Sequence, residues 1–168
     1  VMSGSIGCGP MTRLALKLLN RLPKDAYVVV ICGKNKGDLK ELQRYAKWRS
    51  RLYPVGFTDR MDLYYSAADV AVGKPGGLSC TELAQKGVPA VLMLTVPGCE
   101  SRNLEFFTRY GMALGTDSVR DTVLAVRRLL NDPPMRARMT EAQRSIPRGA
   151  VEAIADLIEQ GAPAPQKE

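Results

Sequence analysis

A chain of 168 residues with a formal net charge of +7 fits one globular domain of ordinary size. It contains no histidine, and its four cysteines form no CxxC pair, which excludes an imidazole base, a serine–histidine triad and the usual zinc sites. The charge favours phosphates, nucleic acid or an anionic lipid surface as partners, unless it belongs only to a solvated face.

The sequence lacks the features of an exported or membrane-spanning protein. Its longest apolar run, residues 88–96, is shorter than the about 20 residues that cross a bilayer. A cleavable signal is also absent. The cysteines lie in apolar or glycine-rich surroundings, which is typical of a reducing compartment. We therefore expect a cytoplasmic location.

The first half of the chain alternates predicted strands with predicted helices. Residues 1–2 have the character of the end of a buried strand, and Pro10 suits the first turn of a helix over 10–22. An unalternating β-branched run predicts a strand over 27–32 that is covered on both faces, as in parallel sheets. Further helices are predicted over 38–48, with Asp38 at its start, and over 58–67, capped by Thr58 or Asp59, and further strands over 52–57 and 68–72.

The same alternation continues to residue 115 and then stops. Predicted helices over 78–86 and 100–110 alternate with predicted strands over 89–95 and 112–115. This pattern predicts an α/β, Rossmann-like parallel sheet of about six strands flanked by helices and joined by right-handed crossovers. Helices alone are predicted beyond it, over 118–130, 135–144 and 147–160. Residues 1–160 are thus expected to form one domain, followed by a disordered tail over 161–168.

Two glycine-rich turns connect predicted strands to predicted helices, one around Gly4, Gly7 and Gly9 and one at Gly76 and Gly77. The first N–H groups of a helix have no intrahelical partner and carry partial positive charge, and glycine lets an anion approach them. In a parallel sheet such turns meet at the carboxyl ends of the strands. The GxxGxG spacing of the first turn differs from the dinucleotide fingerprint GxGxxG, so the sequence predicts a diphosphate between the turns rather than NAD.

Single residues in this region also have ordinary structural interpretations. Gly76 and Gly77 alone would fit a tight connection, and Glu82 alone would fit an acid favoured by the helix dipole. Lys74 alone would be solvated, and Phe57 is expected to be partly in the core. Their joint spacing favours a ligand site, in which Glu82 accepts hydrogen bonds from two neighbouring sugar hydroxyls.

Several spaced elements resemble the donor-sugar half of glycosyltransferase family 28. They are Gly73-Lys74-Pro75-Gly76-Gly77-Leu78-Ser79, Thr81-Glu82, Gly87-Val88-Pro89, and Pro97-Gly98-Cys99-Glu100 with Asn103. Within the family the likeness is to diacylglycerol glucosyl- and galactosyltransferases of the monogalactosyldiacylglycerol synthase kind, and more distantly to the peptidoglycan lipid II synthase. The resemblance implies the C-terminal half of a GT-B fold, with a truncated first strand and an N-terminal acceptor domain outside this chain.

The resemblance also implies a set of nucleotide-sugar-binding residues. These are Ser3, Gly4, Ser5, Gly7, Gly56, Phe57, Thr58, Lys74, Gly76, Gly77, Leu78, Glu82, Gly98, Cys99, Glu100 and Asn103. The first loop would lie beside the diphosphate and the inter-domain cleft, and the main chain of residues 56–58 would contact the uracil edge, with Met61 nearby. The N–H groups of residues 76–78 would bind the diphosphate, and Glu82 the ribose.

The same resemblance assigns the transferred sugar to Glu100 and Asn103, in a turn shaped by Gly98 and Cys99. Many relatives carry glutamine where this chain has Cys99, and cysteine is a weak hydrogen-bonding group, so the donor sugar stays open. The implied reaction is inverting transfer of a hexose from a UDP-sugar, without cofactor or metal, to diacylglycerol or a related lipid. The general base and most of the acceptor site are expected in the N-terminal domain, so this chain alone is expected to be inactive.

The implied location is the cytoplasmic face of the membrane, as a peripheral protein without nucleic-acid partners. Other functions stay open: transfer of N-acetylglucosamine to a lipid-linked peptidoglycan precursor, a UDP-sugar epimerase of the same architecture, or a non-catalytic nucleotide- or lipid-binding module. For an epimerase the acid–base candidates in this sequence are Glu82, Glu100 and Asp69. The sequence does not indicate an oligomeric state.

Overall fold

The computed structural model describes residues 1–2, 10–93, 98–146 and 150–159, and within them short strands alternate with helices. The strands are β1 (Val28–Ile31), β2 (Leu52–Val55), β3 (Ala71–Gly73), β4 (Ala90–Met93) and β5 (Leu114–Thr116). The helices are α1 (Met11–Arg21), α2 (Lys36–Ala46), α3 (Met61–Ser66), α4 (Gly77–Lys86), α5 (Cys99–Arg109), α6 (Val119–Asn131), α7 (Pro133–Gln143) and α8 (Ala150–Glu159). The predicted alternation and the helical C-terminal segment are therefore confirmed.

The strands form two parallel groups, β1 with β2 and β3 with β4 and β5. Val1 and Met2 connect them, because the Ile31 N–H donates to Val1 O and the Met2 N–H donates to Val72 O, both at 2.8 Å. The order across the molecule is thus β2, β1, residues 1–2, β3, β4, β5. The described residues hold five strands rather than about six, since Met2 forms only a single parallel bridge with Ile31 before the glycine-rich stretch begins.

Helices cover both faces of this sheet, and the side chains of β4 show how the two layers divide. Val91 and Met93 pack into one core cluster, and Ala90 and Leu92 into the other, as expected from the alternation of side chains along a strand. The first cluster contains buried side chains of α1, α2 and α6, and the second those of α3, α4 and α5. Helix α1 lies between α2 and α6, and α4 lies between α3 and α5.

The observed starts of the helices match the predicted starts only in part. The Ser118 hydroxyl accepts the Asp121 N–H at 3.1 Å and caps α6, as predicted. Helix α2 begins earlier than predicted, because the Asn35 side chain accepts the Asp38 N–H at 3.0 Å. The predicted cap of α3 is wrong: the helix begins at Met61 without a capping side chain. The predicted tail, 161–168, lies outside the described residues.

Helix α7 is joined to the turns that precede β4 and β5. Gln143 is only 2% exposed, and its Nε2 donates to Val88 O at 2.9 Å and to Met112 O at 2.8 Å. Nearby, the Thr140 hydroxyl donates to the carbonyl of Gly87, a residue with a φ of 68° that caps the end of α4. Because buried carbonyls need partners, this helix completes the hydrogen bonding of the strand entries rather than merely covering them.

We expect Gln143→Leu to lower the free energy of unfolding by about 1–3 kcal/mol, because leucine keeps much of the side-chain volume but leaves two buried carbonyls without a donor. Urea unfolding followed by circular dichroism measures this. Gln43→Leu is the matched control, since Gln43 is exposed on α2. Equal stability of the two variants would show that the α7 contacts do not stabilise the sheet.

Candidate functional site

The strand order reverses next to residues 1–2. After residues 1–2 the chain forms β1 and β2, which lie to one side of these residues in the strand order, and then β3, β4 and β5, which lie to the other side. In open parallel sheets the ligand crevice lies at the carboxyl ends of the strands beside such a reversal. The loop after Met2, with Ser3, Gly4, Ser5 and Gly7, lies outside the described residues. The described part of this crevice is the turn between β3 and α4.

The glycines of the β3–α4 turn have no conformational or steric reason to be glycine. Gly76 has a φ of −75°, which any residue adopts, and Gly77 is the first residue of α4. A Cβ added to Gly76 would lie 3.9 Å from the Lys74 side chain, and one added to Gly77 would lie 3.7 Å from the Asn103 side chain, both ordinary contacts. The two glycines therefore leave the start of α4 bare, where N–H groups without an intrahelical partner and the helix dipole favour an anion. The Gly76 N–H, predicted to bind the diphosphate, is not among them, because it donates to Lys74 O at 2.8 Å.

Helix α5 holds this turn from the side. Lys74 Nζ and Glu100 Oε1 form an ion pair at 2.5 Å, with side chains 32% and 22% exposed, so Lys74 is not simply solvated. One turn further along α5, Asn103 Nδ2 donates to Pro75 O at 2.9 Å. Residues at i and i+3 share one side of a helix, so Glu100 and Asn103 contact adjacent parts of the same turn. Both predicted sugar-contacting residues thus lie at the turn, although their role toward a sugar stays a prediction.

Glu82 lies on α4 and is exposed at the groove between α3 and α4. The Tyr65 hydroxyl lies 3.2 Å from Glu82 Oε2, to which it donates, and also 3.2 Å from Met2 Sδ. Burial, and then the nearby Glu82 carboxylate, raise the pKa of Tyr65, which keeps the phenol protonated as a donor. Tyr65 orients the carboxylate, and the sequence analysis missed it because a tyrosine on a helix has no pattern that marks such a contact. Met61, predicted to lie near the uracil, lines the same groove.

The predicted base-contacting segment follows β2 at the same edge of the sheet. Phe57 is 64% exposed, so the expectation that it is partly in the core is wrong. It lies beyond the last residue of β2, where its ring extends from the strand end, and Lys34 Nζ lies 5.8 Å from the ring centroid. The Thr58 hydroxyl accepts the Arg60 N–H at 3.1 Å. A Cβ added to Gly56 would press on α2 at 3.3 Å, which gives that glycine a packing reason.

The turn before α5 requires its glycine. Gly98 has a φ of 131° and a ψ of −136°, a conformation that side chains rarely adopt. Its N–H donates to the Ser101 hydroxyl at 3.2 Å, and its carbonyl accepts the Ser101 N–H at 2.9 Å. Ser101 is a second residue that the sequence did not reveal, because the capping-box signature has serine or threonine at the N-cap and glutamate or glutamine three residues later, whereas this chain has Gly98 and Ser101. Cys99 is the first residue of α5, and its side chain lies outside the description.

The structure brings together the turn at residues 74–78 with Glu100 and Asn103, and places Glu82 further along α4. Residues 56–58 follow β2, at the same edge but beyond β1 and residues 1–2. Asp69 precedes β3 and therefore lies at the amino ends of the strands, away from this site. Burial, and then the charge of Glu100, raise the pKa of the Cys80 thiol to about 12, so this cysteine behind the site is a packing residue.

The described residues show neither a metal-binding cluster nor a membrane-spanning helix. No three histidine, cysteine, aspartate or glutamate side chains among those residues come together in a way that could hold a metal ion. None of the helices that the structure describes combines the length and the apolar character needed to cross a membrane.

The family model of the glycosyltransferase family 28 C-terminal domain matches residues 1–104. A processive diacylglycerol beta-glucosyltransferase of Bacillus pumilus is 31% identical over 144 residues, which are 83% of this chain and 37% of that relative. The chain thus spans well under half the length of this curated relative. Two solved structures, Acinetobacter baumannii MurG and S. aureus MnaA with UDP, superpose with TM-scores of 0.72 and 0.74 at 20% and 17% identity. The superposed regions cover 95% and 99% of this chain, and 49% and 48% of the MurG and MnaA chains, respectively. These similarities confirm the predicted fold.

We expect a double-mutant cycle of Lys74→Ala and Glu100→Ala to give a coupling energy of about 0.5–1 kcal/mol, because this pair is only partly exposed. Urea unfolding at low salt measures it, and 1 M NaCl is expected to reduce it. The exposed pair Arg144 and Glu141, whose side chains are 66% and 69% exposed, serves as the control and is expected to couple more weakly. Strict additivity of the Lys74 and Glu100 variants would show that the ion pair does not stabilise the turn.

Proposed function

The chain belongs to glycosyltransferase family 28, and we propose that it is the donor-binding part of a hexosyltransferase that moves a sugar from a UDP-sugar to diacylglycerol or a related lipid. Two kinds of relationship support the proposal. The related Bacillus pumilus protein is named as a diacylglycerol glucosyltransferase, and a protein of the same fold, MnaA, was solved with UDP. The name of the Bacillus pumilus protein supports a lipid acceptor, and the MnaA structure supports a donor that contains UDP.

The observation that carries the proposal is the bare start of α4. Gly76 and Gly77 are not required by backbone conformation or by internal packing, so a ligand that approaches the backbone accounts for them best. The turn is held in place before any ligand arrives, by the ion pair to Glu100 and the hydrogen bond from Asn103. Donors fixed in advance stabilise charge without the cost of reorganisation. This arrangement would stabilise a diphosphate, whose negative charge grows as it leaves the sugar.

The proposed reaction is a single displacement at the anomeric carbon of the donor sugar. The acceptor hydroxyl oxygen forms a bond to that carbon while the bond from the carbon to the diphosphate oxygen breaks, and its electron pair leaves with UDP. The acceptor proton goes to a general base, which we place in the N-terminal part of the parent protein. The N–H groups of Gly77 and Leu78 stabilise the charge on the diphosphate, so we expect no requirement for a metal.

The remaining predicted residues select the donor. Glu82, oriented by Tyr65, accepts hydrogen bonds from the ribose hydroxyls, and the exposed ring and main chain at Phe57 offer a surface for the uracil. Glu100 and Asn103 bind the sugar from their place against the turn, since the Asn103 carbonyl oxygen keeps acceptor capacity while its amide holds Pro75. We place the parent protein at the cytoplasmic face of the membrane, where its lipid acceptor lies.

A transferase of the peptidoglycan pathway or a UDP-sugar epimerase would share this donor site. Product analysis of the full-length parent with lipid vesicles and a UDP-sugar separates them. A glycolipid supports the proposed transferase, whereas isomerised free nucleotide-sugar identifies an epimerase, and glycosylation of only a lipid-linked peptidoglycan precursor identifies the other transferase.

We expect this chain to bind UDP in preference to ADP in calorimetric titrations, and Glu82→Ala to weaken UDP binding about 10- to 100-fold, because hydrogen bonds to a charged carboxylate contribute about 1.5–3 kcal/mol. EDTA is expected to leave the affinity unchanged. Glu105→Ala, an exposed acid on α5, is the matched control. If UDP and ADP bind equally, or if Glu82→Ala binds UDP as the unchanged chain does, the assignment of this site is wrong.

We expect Gly77→Ala to leave the free energy of unfolding unchanged or to raise it by about 0.5–1 kcal/mol, because alanine favours the helix and has room there. The same substitution is expected to weaken UDP binding at least about tenfold, since its methyl group covers the start of α4. Gly98→Ala provides the contrast, since its φ of 131° should make it destabilising by about 1–3 kcal/mol. A Gly77→Ala variant that unfolds more easily would show that the glycine is structural.

A further inference from the structure

The positive charge of this chain is concentrated on one layer of helices. Helices α1, α2 and α6 together carry nine basic and three acidic side chains. Helices α3, α4 and α5, on the opposite face of the sheet, carry three basic and four acidic side chains. We call the first set of helices the basic layer. A solvated surface that only served solubility would have no reason for such a difference between its two faces.

The basic side chains of this layer are exposed and follow the helices along their length. Helix α1 carries its cations at Arg13, Lys17 and Arg21, at intervals of four residues and without an acid. Helix α6 carries Arg120, Arg127 and Arg128, all exposed. The acids of the layer are Asp38, Glu41 and Asp121, of which Asp121 belongs to the cap of α6. Because the three helices lie side by side, the charge forms a broad face rather than a cleft.

Two exposed apolar side chains lie on or directly after helices of the basic layer. Trp48, which follows α2, is 89% exposed, and Leu124 on α6 is 50% exposed between the arginines. Tryptophan is enriched at membrane interfaces, where its amphipathic ring lies at the level of the headgroups, and basic residues are attracted to anionic lipids. A broad face that combines cations with such residues fits a lipid surface better than the bases or groove of a nucleic acid.

The basic layer also lies beside the donor site. Its helices each follow a strand or the first glycine-rich stretch, so they begin at the carboxyl edge of the sheet and run away from it. Arg13 and Arg120, in the first turns of α1 and α6, are therefore close to the edge that holds the β3–α4 turn. A flat surface against the basic layer would leave the donor site open at its margin.

We propose that the basic layer of α1, α2 and α6 docks on a bilayer that contains anionic phospholipids. This inference rests on the proposed function, because a lipid acceptor gives the enzyme a reason to hold its donor site at the bilayer. Its physical basis is the attraction between the cations of one face and the negative surface potential of the leaflet. It predicts that binding of this chain to vesicles depends on anionic lipid, on the salt concentration and on the cations of this one face.

The test is flotation of this chain with vesicles of phosphatidylcholine alone or with phosphatidylglycerol at a ratio of about 7:3, at low and at high salt. Binding is expected only to the mixed vesicles and is expected to be lost at high salt. The triple variant R13Q/K17Q/R127Q should lower the partition coefficient on the order of 100-fold, because each cation near the surface contributes about a fivefold factor. The matched variant K86Q/R102Q/R109Q removes three cations from the opposite layer and should stay within about threefold of the unchanged chain.

Equal loss in the two triple variants would overturn the proposal, since net charge rather than the basic layer would then control binding. Equal binding to neutral vesicles, or a stronger interaction with single-stranded DNA than with the mixed vesicles, would also overturn it. UDP titration of the same proteins tests the proposed function separately. Face-specific vesicle binding without UDP binding would refute the donor-site assignment alone, and UDP binding without vesicle binding would refute the basic-layer inference alone.

Discussion

The architecture depends on main-chain hydrogen bonds made by two residues. Val1 and Met2 accept from Ile31 and donate to Val72, and so connect the two groups of parallel strands. The connection does more than join the core, because it places the point where the strand order reverses. Turns that follow the neighbouring strands consequently meet at one edge. The proposed donor site depends on this hydrogen-bonding pattern, because the pattern brings the turns to one edge.

The glycines of this chain serve different physical purposes, which the structure separates. Gly87 and Gly98 adopt positive φ values of 68° and 131°, so the fold itself requires them at the end of α4 and the start of α5. Gly76 and Gly77 do not have positive φ values, and both have free space for a methyl group. What distinguishes them is their position at the exposed start of a helix that begins beside the reversal of strand order. A requirement that lies outside the chain, in a bound anion, explains them.

The polar contacts around the turn form a support that exists before a ligand binds. Lys74 with Glu100, and Asn103 with the Pro75 carbonyl, hold the β3–α4 turn against α5, and Tyr65 holds one oxygen of Glu82. The same side chains that are expected to contact the donor thus have partners within the protein. Such preorganisation is the usual way in which a site stabilises developing charge at low cost. In the proposed membrane contact, the cations of the basic layer act at a longer range and set the orientation of this site toward the bilayer.

The amino-acid sequence by itself determined the order and type of the elements, because periodicity and turn residues are local properties. It also identified the turn at Gly76 and Gly77, since a strand, two glycines and a helix follow each other directly. It did not determine the exposure of Phe57, the contact of Tyr65 with Glu82, or the ion pair of Lys74 with Glu100. Those contacts join residues 17 and 26 positions apart, and no local pattern encodes which side chains meet when separate elements pack.

The same reason explains why the net charge of +7 could be counted from the sequence but not located. Helices α1 and α6, which are about 100 residues apart in the chain, lie side by side because both pack into the same core cluster on one face of the sheet. The sequence therefore specified the parts of the donor site and the amount of charge. Only the tertiary structure decided which face carries that charge and which side chains hold the turn, because both depend on packing between segments far apart in the chain.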